Sequence, residues 1–216
     1  MKIALIGATG FVGSEVLKEA LDRGHEVTAI ARNTKNIAEA HLLKKVEVDV
    51  KNIEKLANAV KDSEVVISAF NPGWSNPNIY NEYLEGAKAI QQAVKEAGVK
   101  RLIVVGGAGS LFLNERTRVI DSPNFPEEIK PGATAASEYF EILKREKELD
   151  WTFFSPAIGM APGKPKKRRN TYRKGFEKPV FDEDGKSELS VQDTAVVLVD
   201  EAENGAHIKQ RFTAAY

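Results

Sequence analysis

Three glycines recur at a spacing of three in Gly7-Ala8-Thr9-Gly10-Phe11-Val12-Gly13, directly between an apolar run and an amphipathic one. A glycine-rich turn of this kind lets backbone amides approach an anion, while the start of the following helix adds partial positive charge. Gly7 suits the tight turn, Gly10 removes a side chain where a pyrophosphate must come close, and Gly13 lets the helix lie against the sheet. Thr9 adds a hydroxyl donor, and Phe11 and Val12, which open the helix behind it, are expected to bind the coenzyme with the rest of the turn. The spacing is G-x-x-G-x-x-G and departs from the general G-x-G-x-x-G fingerprint, so its weight comes from context. A turn with no ligand is the plainer alternative. The strand before, the helix after and a second strand at Glu26–Ala31 favour a dinucleotide.

The end of that second strand reads Ala31-Arg32-Asn33-Thr34. A carboxylate there would accept a bond from a free ribose 2′-hydroxyl and repel a 2′-phosphate. Arg32 instead offers fixed donors and a permanent charge, with Asn33 beside it, so NADP(H) is favoured over NAD(H). Stacking on adenine, or a solvated charge, are the other readings of Arg32. After the third strand, Asp49-Val50 is placed for an adenine edge, with a helix N-cap as the structural alternative for Asp49.

Two further features follow strand ends. Trp74, in Phe70-Asn71-Pro72-Gly73-Trp74-Ser75-Asn76-Pro77, is placed to stack on an aromatic substrate or to anchor its loop. The stretch from Lys164 to Lys178 carries eight basic side chains against one acid, Glu177. It reads as a solvated flap neutralised by Asp182, Glu183, Asp184 and Glu188, with a phosphate or nucleic-acid arm as the less favoured reading.

These residues need a scaffold, and short valine- and isoleucine-rich runs alternating with amphipathic stretches supply one. The pattern predicts an α/β fold, a doubly wound parallel sheet. Strands are expected near Lys2–Ile6, Glu26–Ala31, Lys45–Asp49, Glu64–Ala69, Arg101–Val105 and Trp151–Ser155. Helices are expected behind the glycine turn (Val12, Val16, Ala20), over residues 78–97 and over residues 134–149. The tail, residues 156–216, is broken by Pro156, Pro162, Pro165 and Pro179 and ends in a helix (Val191–Glu203) and a strand (Lys209–Thr213). It reads as a small cap on a single domain spanning residues 1–216.

Composition narrows the function. Thirty-one basic and thirty-one acidic side chains cancel, so no global field draws the chain to nucleic acid or to a membrane. There is no cysteine and there are only three histidines, which speaks against a metal site and removes thiol chemistry. No signal segment or membrane-length run appears, and a cytoplasmic monomer or homodimer acting on a small molecule is expected.

Gly7 to Gly13, Arg32, Asp49-Val50, Ser68 to Gly73 and Val105-Gly106-Gly107-Ala108-Gly109-Ser110-Leu111 together resemble the atypical short-chain dehydrogenase/reductases. The likeness is to their small NAD(P)H-binding group, called epimerase/dehydratase or NADH-flavin reductase and similar to biliverdin/flavin reductases and NmrA-like proteins. Trp151 to Ala157 and Leu189 to Ala195 resemble its sixth strand and last helix. The resemblance implies that Ala69 and Phe70 flank the adenosine and pyrophosphate. It also implies that Gly107 to Ser110, with Pro156 and its neighbours, border the nicotinamide.

Most short-chain dehydrogenases pair a tyrosine with a lysine four residues later, so that the ammonium eases proton transfer from the phenol. Here Tyr80, Tyr83, Tyr139 and Tyr172 are followed at that distance by Leu84, Ala87, Leu143 and Phe176. Lys144 is five positions from Tyr139, about 140° around a helix, and Tyr139 reads as a packing residue. Epimerase or dehydratase chemistry therefore lacks its usual acid, whereas hydride transfer to a flavin or quinone does not require it. Ser110 is the best local hydroxyl for catalysis, with a loop cap as its other role. The expected function is an NAD(P)H-dependent reductase of a small aromatic acceptor. The alternatives are a non-catalytic NADP(H) sensor and an epimerase-like enzyme without the pair.

Overall fold

The computed structural model of the chain describes residues 1–161 and 167–216. Eight strands form one sheet: β1 (Lys2–Ile6), β2 (Glu26–Ala31), β3 (Leu43–Glu47), β4 (Val65–Ser68), β5 (Arg101–Val105), β6 (Asp150–Ser155), β7 (Arg173–Gly175) and β8 (Gln210–Ala215). Their order is β3-β2-β1-β4-β5-β6-β8-β7, parallel throughout except for the β7–β8 pair. This is the doubly wound Rossmann arrangement, and its strand order reverses between β1 and β4, where such sheets open a ligand crevice.

The apolar runs are continuous because both faces are covered. In β1, Ile3 and Leu5 face α1 (Phe11–Asp22) and α5 (Val191–Asn204), while Ala4 and Ile6 face α2 (Ile53–Val60), α3 (Ile79–Glu96) and α4 (Lys130–Leu143). The stripe of α1 buries Val16, Leu17 and Ala20 on the first face, and α4 buries Ala135, Ala136, Tyr139, Phe140 and Leu143 on the second.

Three expectations need correction. The third strand is Leu43–Glu47, two residues earlier than expected; its register with β2, Val27↔Leu43 to Ala31↔Glu47, leaves Val48 and Asp49 past the last pair. The fourth helix runs Lys130–Leu143, not over residues 134–149: Pro131 seats its first turn, and after Leu143 five polar residues give it nothing to bury.

Nor is the described part of the basic segment simply a solvated flap. Residues Arg173–Gly175 form a short charged edge strand. Arg168 pairs with Glu19 at 2.8 Å and Arg169 lies 4.0 Å over the Tyr216 ring. Asp182 is spent on its own turn, accepting from the amides of Asp184 and Lys186. The expected contributions of Pro162, Lys164, Pro165 and Lys166 lie outside the described residues. No described helix is long and apolar enough to cross a membrane.

Candidate coenzyme site and catalytic centre

Parallel register puts the C-terminal ends of the seven parallel strands on one edge of the sheet, with Ile6 level with Ile30 and Ser68, and Val105 level with Phe154. The turns that carry the expected site residues all emerge there. The glycine turn is the most tightly built. Gly7 has φ +80°, donates to the Ile30 carbonyl at 2.9 Å, and sits so close to β4 that a Cβ would stand 2.6 Å from the Ala69 carbonyl oxygen. A Cβ on Gly13 would stand 2.0 Å from the Gly7 carbonyl oxygen, so the first turn of α1 rests on the loop itself. Gly10 is the N-cap of α1 and no side chain caps that end. The first amides of the helix therefore face the crevice side as an anion site, bounded by exposed Thr9 and Phe11 and half-buried Val12. These donors fit a pyrophosphate.

Arg32 emerges beside this turn, exposed and with no ion pair or hydrogen bond among the described residues. Glu47, the acid at the end of the neighbouring strand, is turned away from it. Its carboxylate accepts from the Thr34 amide at 2.9 Å and hydroxyl at 3.3 Å, and the amide bond above all holds the Glu47 carboxyl below its ordinary range. Asn33 accepts from the Lys35 amide. The sequence reading missed the part played by Glu47, because nothing local links residues 34 and 47.

Beyond β3 and β4 the structure joins two residues read from separate strand ends. The Phe70 ring covers Gly86 of α3, with ring carbons 2.4 Å from where a Cβ would stand, and a Val50 methyl lies 3.3 Å from the same point. Asp49 is exposed and accepts from the Lys51 amide at 2.9 Å, while the cap of α2 is Asn52, accepting from Lys55.

At the other end of the crevice, Gly107 faces Ala136 of α4 at 3.6 Å from a virtual Cβ, and Pro156 is buried. Trp74 leans its ring edge over Gly132, at the start of α4, and keeps 50% of its surface open. Ser110 is buried in a short 3₁₀ turn, and its hydroxyl and carbonyl accept from Arg211 of β8 at 2.9 and 3.0 Å. Arg211 also pairs with Glu177. No sequence signal could have found this contact, which spans 101 residues.

Tyr139 is 1% exposed, and its hydroxyl donates to Gln91 Oε1 at 3.2 Å. Burial first, then Tyr83 and Glu146, pushes its phenol above the ordinary tyrosine range. It is a packing residue, as its spacing from Lys144 predicts. The described histidines with ring contacts are structural too: His25 reaches Glu203, and His207 bonds Glu201 while stacking on Phe212.

The description NAD(P)H-binding belongs to a family whose model matches residues 7–204. A Bacillus subtilis relative, the uncharacterised protein YwnB, is 40% identical over 99% of this chain and 97% of its own. Among solved structures, a candidate epimerase of Bacteroides thetaiotaomicron is 45% identical with a TM-score of 0.91, over 100% of this chain and 96% of that one. A candidate NADH-flavin reductase of Streptococcus pneumoniae is 36% identical with a TM-score of 0.87, over 100% and 99%. The rice protein cinnamoyl-CoA reductase 1 is 28% identical, and the match spans only 36% of its length. With the glycine cradle, the uncapped helix and the strand order in place, these matches establish that the chain belongs to the NAD(P)H-binding family of Rossmann-fold proteins.

Proposed function

We propose that the chain is an NADP(H)-dependent reductase whose acceptor is a flavin, a quinone or another small planar aromatic molecule. Held by its pyrophosphate at the glycine turn, the reduced coenzyme would supply a hydride. The observation that carries the reading is the state of Tyr139: sealed in the core, bonded to Gln91 and held in its neutral form, it has no path to a substrate proton. Epimerase and dehydratase chemistry needs such a group, and reduction of an electron-poor ring does not.

In this reading the chain's own residues bind and orient. The open amides at the start of α1 hold the pyrophosphate. Arg32, free of any internal acid among the described residues, meets the 2′-phosphate. Arg211 occupies a lone pair of Ser110, so the serine O–H is left to donate to the acceptor. Trp74 offers its open face for stacking.

The test is NADPH oxidation, followed by absorbance, with flavin mononucleotide and a naphthoquinone against a control without protein. Saturation in the acceptor is expected. Trp74→Ala should raise the acceptor KM, stacking on an aromatic being worth about 1–3 kcal/mol, and leave NADPH affinity unchanged. No turnover above the control, despite tight NADPH binding, would overturn the reductase and leave a coenzyme sensor.

A further inference from the structure

Lys45 and Glu47 stand two residues apart on β3, and both spend their side chains on the loop that joins β2 to β3. Glu47 Oε1 accepts from the Thr34 amide at 2.9 Å and from its hydroxyl at 3.3 Å. The Lys45 ammonium donates to the Ile37 carbonyl at 3.1 Å and pairs with Glu39. Between these ties the loop closes on itself: Asn33 Oδ1 accepts from the Lys35 amide at 3.0 Å, and the Ile37 amide donates to the Thr34 carbonyl at 3.0 Å. Ile37 also packs against the core beneath α1 and α5. Thr34 is 6% exposed, whereas Arg32, Asn33 and Lys35 around it are all exposed. It is the pin of the loop, and Glu47 holds it.

The place of Glu47 gives that hold a consequence. It is level with Ala31, the residue before Arg32, on a strand roughly 4.8 Å away. An unattached carboxylate at the end of this part of the sheet repels a 2′-phosphate and suits a free ribose 2′-hydroxyl. Here the carboxylate is tied to Thr34, and the side chains left at the surface of the loop are basic. Neither Arg32 nor Lys35 spends its side chain on an ion pair or hydrogen bond among the described residues, although the Lys35 charge helps keep Glu47 ionised. A loop already fixed by its own bonds loses less freedom when it closes on a ligand.

We propose that Glu47 is a positioning residue for coenzyme choice: through Thr34 it fixes the turn from Arg32 to Lys35, so that both cations meet the 2′-phosphate of NADPH without the cost of ordering the loop. The inference rests on the NADP(H) reading of Arg32.

Calorimetric titration of NADPH and NADH into wild type, Glu47→Ala, Glu47→Gln and Arg32→Ala tests it. In Glu47→Ala the NADPH affinity should fall about fivefold, the scale of ordering one or two side chains on binding, while NADH changes by less than about twofold. Charge alone gives the opposite sign, because removing a carboxylate beside a phosphate strengthens phosphate binding. Glu47→Gln keeps an acceptor for the Thr34 amide and should bind NADPH within about twofold of wild type. An unchanged or tighter NADPH affinity in Glu47→Ala, equal losses for the two coenzymes, or a Glu47→Gln variant as weak as Glu47→Ala would each overturn the positioning role. If Arg32→Ala weakens NADPH alone and Glu47→Ala does not, only the role of Glu47 falls. If Arg32→Ala leaves the ratio of the two affinities unchanged, the NADP(H) reading falls and this inference with it.

Discussion

Replacing Arg32 with alanine tests whether this side chain meets a 2′-phosphate, as the proposed NADP(H) reading requires. The side chain is exposed and makes no ion pair or hydrogen bond among the described residues, so its removal should leave fold stability within about 0.5 kcal/mol. Any loss of affinity then belongs to the ligand. A hydrogen bond to a charged group is worth about 1.5–3 kcal/mol, and solvent around an exposed guanidinium places this one at the low end. At about 1.4 kcal/mol per decade, NADPH affinity should fall about tenfold. NADH, with no phosphate to lose, should bind within about twofold of wild type. Because the pair is solvent-facing, raising salt from about 0.05 to 0.5 M should shrink the wild-type preference for NADPH. Calorimetric titration of both coenzymes into both proteins measures all of this. Equal losses for the two coenzymes, or no loss for either, would refute the phosphate-binding role.

Gly13→Ala would drive a Cβ to 2.0 Å from the Gly7 carbonyl oxygen, a backbone atom that cannot rotate aside. The clash costs about 1–3 kcal/mol, partly offset by about 1 kcal/mol of helix propensity. Melting temperature and affinity for both coenzymes should fall together; a variant unchanged in both would show that the helix does not rest on the turn. Tyr139→Phe should cost about 1 kcal/mol for the lost Gln91 bond and keep turnover within about tenfold. A fall of about a hundredfold at unchanged coenzyme affinity would restore it as an acid. Asp193 loses solvation on burial, yet bonds from the Tyr216 hydroxyl, the Arg169 and Asn170 amides and Ser190 outweigh this and hold its carboxyl below the ordinary range. Its stabilisation is therefore complete above the unfolded pKa of about 3.9 and lost as pH falls through the lower folded value. Asp193→Asn should lower the melting temperature at pH 7 and lower it much less at strongly acid pH, and an equal deficit at both would refute the assignment.

The order and kind of nearly every central element, and the position of the glycine turn, were set by the sequence alone. Each rests on local rules: a buried strand needs a short apolar run, a covering helix needs a stripe every three to four residues, and a phosphate turn needs glycines where side chains would collide. Tyr139 and Lys144 are likewise out of register by helix geometry before any packing is considered. Tertiary structure decided what depends on partners distant in the chain. The ends of β3 and α4 follow register and packing, which override local preference. The strand Arg173–Gly175 exists because β8 offers it an edge, although its own residues read as a charged loop. Val50 and Phe70 meet only over Gly86, and Arg211 reaches Ser110 across 101 residues. Such contacts leave no periodicity or spacing in a single sequence, because their energy comes from the burial and desolvation of groups that only the folded sheet brings together.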